Sequence, residues 1–112
     1  MTSSSSHRVV VAGPDGDGIA DALEARGAAV TRLDGVVTGE RLDDAGIADA
    51  TLYVLTDAAE ATSIAVAKER NPDVRAVVYS DDALPEFAAA QTDLAVDPAL
   101  LDADVVAEEL VA

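Results

Sequence analysis

Five short apolar runs rich in β-branched residues, separated by segments of helical length, set the strongest limit on how this chain can fold. The first, RVVVA at 8–12, shows no polar alternation, which marks a strand covered on both faces. AVTRL (29–33), TLYVLT (51–56), RAVVYS (75–80) and DLAV (93–96) follow as further strands. Between them the pattern is helical. Residues 19–26 place Ile19, Ala22 and Leu23 on one face, and Gly27 closes that helix. ERLDDAG (40–46) predicts a short helix, and Asp57 opens an Ala-rich one running to Arg70, stopped by Asn71 and Pro72. LPEFAAAQ (84–91) predicts another short helix. Asp97 is expected to cap the last, with Pro98 in its first turn and Leu101, Val105 and Val106 on its inner face. Strand alternating with helix throughout predicts an α/β fold built on a doubly wound, mainly parallel sheet of about five strands.

Composition narrows the function classes. A chain of 112 residues buries roughly two-thirds of its unfolded surface, and residues 8–112 read as one domain behind a loose Ser-rich tail, 1–7, that holds the lone His7. No cysteine is present, which removes disulfides, thiolate metal sites and cysteine nucleophiles. No apolar run approaches the roughly 18 residues of a membrane span. MTSSSSHR lacks the apolar core of a signal peptide, so a cytoplasmic location is expected. Acidic residues number 22 against 7 basic, for a net charge of −15. The acids are spread between regular apolar segments, which predicts the salt-adapted surface of a halophile rather than a disordered acidic tail. In molar salt the Debye length falls to about 3 Å and screens such a surface from itself. With no basic patch to neutralise phosphates, direct nucleic-acid binding is not expected.

The motifs, read in order, resemble those of the TrkA-N (RCK N-terminal) domains, the Rossmann-type regulatory domains of potassium transporters and channels. The resemblance rests on LDDAGIADATLYVLTD, AKERNPDVRAVVYSDD and DLAVDPALLDADVVAEEL, preceded by strand, Gly turn, helix, strand and acidic residue over the first 34 residues. It implies a shortened Rossmann-like three-layer sandwich. The chain also resembles a set of small haloarchaeal proteins, some labelled CTP synthetases. Chemistry argues against that activity here: there is no Cys nucleophile, and Lys68, the only lysine, is not in a phosphate loop.

The resemblance implies an adenine nucleotide or NAD as ligand, held by Gly13, Asp15 and Gly16 at the first turn, Asp34 after the second strand and Thr56–Asp57 after the third. A dinucleotide loop needs glycines for its tight turn, for close approach of the pyrophosphate and for helix packing. Gly13 and Gly16 match the second and third of these, while the first falls on Val11. Asp15 and Asp17 carry the wrong charge for a phosphate at a helix N-terminus, and no Arg or Lys is expected at that edge to offset them. Asp34, 18 residues after Gly16, stands where the family's acidic residue binds ribose hydroxyls. Only eight residues take Asp34 to Leu42, too few for the family's extra βα unit, since a parallel crossover needs at least about ten to twelve. One unit is therefore missing or reduced to a Val36–Val37 stub.

The same strand ends offer a rival constellation: Asp15, Asp17, Asp57, Ser80, Asp81 and Asp82. Acids and a hydroxyl at a carboxyl edge resemble a response-regulator receiver, with Asp57 as phosphoacceptor, Ser80 as switching hydroxyl and a divalent cation between. The receiver's lysine before a proline is replaced by Asp97 before Pro98. No catalytic set emerges, and none of the residues is assigned as a metal ligand. The leading expectation is a non-catalytic regulatory or interaction module with a degenerate nucleotide site. A nucleotide sensor linked to ion transport and a receiver-like phosphoacceptor or metal site are its alternatives. The small-residue surface of the Ala-rich helix allows close helix–helix contact, so a homodimer is expected, and the resemblance adds a transporter or channel subunit as partner.

Overall fold

The structure, a computed structural model, describes residues 7–111. Five strands form one parallel sheet: β1 (Arg8–Ala12), β2 (Ala29–Leu33), β3 (Leu52–Leu55), β4 (Arg75–Tyr79) and β5 (Leu94–Val96). Their order is β2-β1-β3-β4-β5, with Val11 opposite Arg32 on one side and Val54 on the other. The helices are α1 (Ile19–Ala25), α2 (Gly39–Asp44), α3 (Thr62–Arg70), α4 (Glu86–Ala89) and α5 (Ala103–Leu110). Period-two alternation divides the core between the two faces. Val10, Ala12, Tyr53, Leu55, Ala76 and Val78 pack against Leu42, Ile64, Ala67 and Ala88 of α2, α3 and α4. Val9, Val11, Leu52, Val54, Val77 and Tyr79 pack against Ile19 and Leu23 of α1 and Val106 and Leu110 of α5. The sandwich therefore has three layers, as the alternation of runs predicts.

Several local expectations are corrected. The third strand is shorter than 51–56, although Thr56 N–H still bonds Ala12 O at 2.9 Å. The Ala-rich helix does not run unbroken from Asp57. A 3-10 turn at Ala58–Glu60 comes first, because the Asp57 carboxylate accepts the Ala59 N–H at 3.0 Å and tightens the chain there. Val36–Val37 forms no strand; Val37 is buried and its N–H donates to Glu60 Oε1 at 2.6 Å. The last helix is capped by Asp102, not Asp97, with Asp102 Oδ1 accepting Val105 N–H at 3.0 Å. Its inner face is Ala103, Val106, Ala107 and Leu110, so Leu101 and Val105 lie outside. Asp97 instead closes a turn, its carboxylate accepting the Ala99 N–H at 2.8 Å. His7 is not a loose tail residue: its carbonyl accepts the Ala29 N–H at 3.0 Å, and its Nδ1 lies 3.1 Å from Thr51 Oγ1. Residues 1–6 of the expected tail lie outside the described residues.

Two polar networks tie α3 into this frame. Tyr53 is fully buried in β3, its hydroxyl 2.7 Å from Ser63 Oγ. Ser63 donates its own proton to Glu60 O at 2.6 Å, so Tyr53 is the donor in the pair. Burial pushes the Tyr53 phenol up to about 12, against the Ser63 hydrogen bond and with a smaller push from Glu60. At the amino edge of the sheet, Lys68 donates to Val74 O at 2.8 Å and to Asp93 Oδ2 at 2.6 Å. The same Asp93 oxygen accepts the Ala76 N–H at 2.8 Å, joining α3 to β4 and the start of β5.

The Lys68 hydrogen bond, helped by the Ala76 N–H, holds the Asp93 carboxyl below its ordinary value of 3.8. A depressed carboxyl stabilises the fold above its unfolded value and loses that contribution as pH falls through the folded one. The urea midpoint of the protein should therefore drop as pH falls below 3.8, part of the drop coming from Asp93. Asp93→Asn should be less stable at neutral pH and show a flatter slope in this acid range. Because the carboxylate is 42% exposed, solvent screening keeps the effect small.

Candidate functional site

All five strands run the same way, so their carboxyl ends and the loops after them gather at one edge. The reversal in strand order between β1 and β3 makes that edge the switch point, where open α/β sheets bind ligands. A cleft of about 460 Å³ opens there. Its walls are Pro14, Gly16 and Asp17 after β1, Thr56 after β3, Tyr79, Ser80 and Asp81 at the end of β4, and Asp97 to Ala99 after β5.

The β1–α1 loop is seated on the end of β3. Thr56 Oγ1 donates to Pro14 O at 2.5 Å and also lies 3.2 Å from Ala12 O. Gly13 makes this seat possible: its φ is +107°, and a Cβ there would collide with Thr56 Oγ1 and crowd Asp57. Its N–H reaches across to Leu33 O at 2.9 Å, fastening the loop to the end of β2 as well. Gly16 lines the cleft but has no such need, with nothing within 4 Å of a Cβ and no positive φ.

Asp15 does not face the cleft. Its side chain is only 4% exposed, its Oδ1 accepts the Ala20 N–H at 3.1 Å, and its Oδ2 stands 3.8 Å from Arg32 Nη2. The N-terminus of α1, with no cap from Gly18, is thus capped by the chain's own carboxylate. The expectation that no cation stands at this edge is overturned. Arg32, two residues past Val30 and on the same face of β2, supplies one. Asp34 is exposed beyond the end of β2; Arg41 holds its carbonyl at 2.5 Å and that of Val36 at 2.6 Å, staying with the backbone. β2 is an edge strand, so among the described residues no further strand walls the region beside Asp34. Asp57 lies next to Thr56, with its carboxylate committed to the Ala59 N–H.

Of the six residues expected to bind a cofactor, Gly16 and Thr56 line the cleft. Gly13 lies beneath its loop, Asp15 is turned to α1, Asp57 caps a turn and Asp34 stands at the sheet's edge. Of the rival set, Asp17, Ser80 and Asp81 line the cleft, and the Ser80 hydroxyl accepts the Asp82 N–H at 3.1 Å. Among the described residues no three carboxylates or imidazoles converge as a metal ligand set would. No Lys or Arg is among the residues lining the cleft. Sequence reasoning missed Tyr79, whose hydroxyl donates to Leu101 O at 2.8 Å and holds the β5–α5 loop over the cleft. Burial, with smaller pushes from Asp17 and Asp102, raises its phenol. The available signal was the aromatic residue ending the β4 run.

Residues 9–110 match the family of unknown function DUF7126. The chain belongs to that family. No curated protein matches the sequence. Among solved structures, an orphan response regulator of H. pylori aligns with a TM-score of 0.74 at 20% identity, over 96% of each chain. A pilus assembly-related protein of Burkholderia pseudomallei aligns at 0.69 and 16% identity, over 98% of this chain and 90% of that one. An atypical orphan response regulator aligns at 0.67 and 19%, over 90% of both. At these identities the likeness is one of fold, a flavodoxin-like, Rossmann-like sheet. The likeness bears out the Rossmann-like α/β fold and does not single out the TrkA-N domain that the motifs resemble.

The loop geometry separates the two cleft-side glycines. Gly13→Ala should destabilise by about 1–3 kcal/mol through positive φ and the collision with Thr56. Gly16→Ala should stay within about 0.5 kcal/mol. Urea denaturation of the two variants checks both, and equal losses would show the seat of the loop to be wrongly described.

Proposed function

We infer that the protein is a receiver-like regulatory module that works through protein contact, without catalysis and without taking up phosphate or nucleotide. The carrying observation is the charge of the cleft: Asp17, Asp81 and Asp97 line it, with no cation among the lining residues. A receiver's lysine would stand before the proline after β5, and that position holds Asp97. The only lysine is engaged with Asp93 and Val74 at the amino edge. A phosphoryl group on Asp57 brings roughly −1.5 to −2 charges at neutral pH. Each like-charge contact at about 4 Å costs roughly 1 kcal/mol in water and more where water is excluded. The atypical orphan regulator that shares the fold is described as having a phosphorylation-independent regulatory mechanism, which sets a precedent for this architecture without taking up phosphate.

One observation keeps the TrkA-N-like reading as a second. Deleting the outer strand from the dinucleotide order 3-2-1-4-5-6 leaves five strands in the order found here. On that reading the module regulates a transporter or channel subunit, and Gly13, Gly16 and Asp34 are what remains of an adenine nucleotide or NAD site. The self-capped α1 and the absent wall beside Asp34 weigh against a retained ligand.

Incubation with acetyl phosphate and Mg²⁺ should leave the intact mass unchanged; a gain of one phosphoryl group on Asp57 would sink the phosphorylation-independent reading. In the same buffer NAD(H), ATP, ADP and AMP at millimolar concentration should not raise the melting temperature, whereas a sensor built on Gly13, Gly16 and Asp34 would be stabilised. The charge of −15 carries a further expectation. Raising KCl from about 0.1 M to 1 M shortens the Debye length from about 10 Å to 3 Å, so the melting temperature should climb with KCl. A melting temperature indifferent to salt would contradict a salt-adapted surface.

A further inference from the structure

Among the described residues, five large apolar side chains are exposed, and three of them fall within six positions: Leu100, Leu101 and Val105. Leu100 is 79% exposed, Leu101 44% and Val105 42%. Single exposed leucines need no explanation, but a cluster on so acidic a surface does. The three occupy one corner, where the β5–α5 loop enters α5. Asp102, the residue after Leu101, holds the Val105 N–H and so brings the loop and the first turn together. The corner is also braced from within. Tyr79 donates to Leu101 O, and Val106, Ala107 and Leu110 anchor the opposite face of α5 in the core.

We propose that this corner docks a basic amphipathic segment of a partner protein. The segment's apolar face lies on Leu100, Leu101 and Val105, and its Lys or Arg side chains meet the carboxylates around them. Asp102, Asp104, Glu108 and Glu109 are exposed on the same loop and helix. Beside them, Asp17 and Asp21 border a groove of about 340 Å³ between α1 and α5. Among the described residues, the one ion pair reaching α5 joins Arg26 to Glu108 at 3.9 Å, which leaves the rest of the rim acidic. Charge complementarity selects the partner's sign and orients its approach. A two-fold contact with a second copy would set this rim against itself, because an isologous interface brings the same patch together from both sides. The inference rests on the interaction-module reading and gives that reading a surface and a partner chemistry.

The test uses the whole chain, labelled with ¹⁵N, and three synthetic peptides: an amphipathic Leu/Lys helix, its Leu/Glu counterpart, and a Lys/Ser peptide of the same charge as the first. The Leu/Lys peptide should shift amide signals over residues 100–109, and the Leu/Glu peptide should shift none. The Lys/Ser peptide should bind about tenfold more weakly, a loss of roughly 1.4 kcal/mol. A Leu100→Ser, Leu101→Ser, Val105→Ser variant should keep its melting temperature and lose about tenfold in affinity for the Leu/Lys peptide. Shifts centred on the cleft or spread over all acidic faces would overturn the proposal, as would equal binding by the variant. Concentration-dependent shifts at the same residues without peptide would assign the corner to a second copy. Phosphorylation of Asp57 would overturn the phosphorylation-independent reading without moving this map, so the two failures are distinguishable.

Discussion

The seating of the β1–α1 loop on the end of β3 decides what the carboxyl edge presents. Thr56 bonds Pro14 O, and Gly13 turns with positive φ where any Cβ would strike Thr56. Once the loop is held there, the following residues divide between its two sides. Asp15 turns inward to the N-terminus of α1, while Gly16 and Asp17 face the cleft. Had Asp15 pointed outward, the free N–H groups of α1 would have needed another partner. The loop thus places a carboxylate of the chain itself on a helix end that favours anions, and it leaves the neighbouring cleft acidic.

Where the few cations stand completes that arrangement. Arg32 pairs with Asp15, Lys68 with Asp93, Arg70 with Asp43 and Glu69, and Arg26 with Glu108. Arg41 is turned to backbone carbonyls. Each joins two elements or steadies a loop, and none lines the cleft. Surface pairs of this kind contribute little each, about 0–1 kcal/mol. Their consequence is positional: they use most of the available positive charge away from the switch point. With 22 acids to distribute, the loop ends there are acidic unless something opposes it.

The frame was legible because short runs rich in β-branched residues mark strands. RVVVA and AVTRL become strands over the residues expected, and Ile19, Ala22 and Leu23 are buried on α1. The start of α5 was misplaced, because Asp97–Pro98 has the residue types of a cap and a first turn, whereas Asp102 caps the helix. The decision came from packing: a helix begun at Ala103 buries Ala103, Val106, Ala107 and Leu110 together. One begun at Asp97 would have required Leu101 and Val105 inside. The Asp15–Arg32 pair was also hidden, since it depends on the register that sets Val11 opposite Arg32. Local pattern predicts which residues are in a strand, but not which side chains meet across neighbouring ones.

The motif resemblance and the fold comparison differ for a physical reason. A dinucleotide sheet that loses its outer strand keeps the order of its remaining five, and that order is also the flavodoxin-like one. Strand order therefore cannot separate a shortened nucleotide domain from a receiver. What separates them is the chemistry at the loop ends, where one needs open N–H groups and a ribose-binding wall and the other needs carboxylates beside a cation. Here α1 is capped by Asp15, β2 has no outer neighbour among the described residues, and Asp97 lines the cleft before Pro98. Both chemistries are opposed by particular side chains, while the corner at Leu100, Leu101 and Val105 keeps a surface with no structural duty in the core. That asymmetry is the physical basis of the proposed reading of this fold as a contact module.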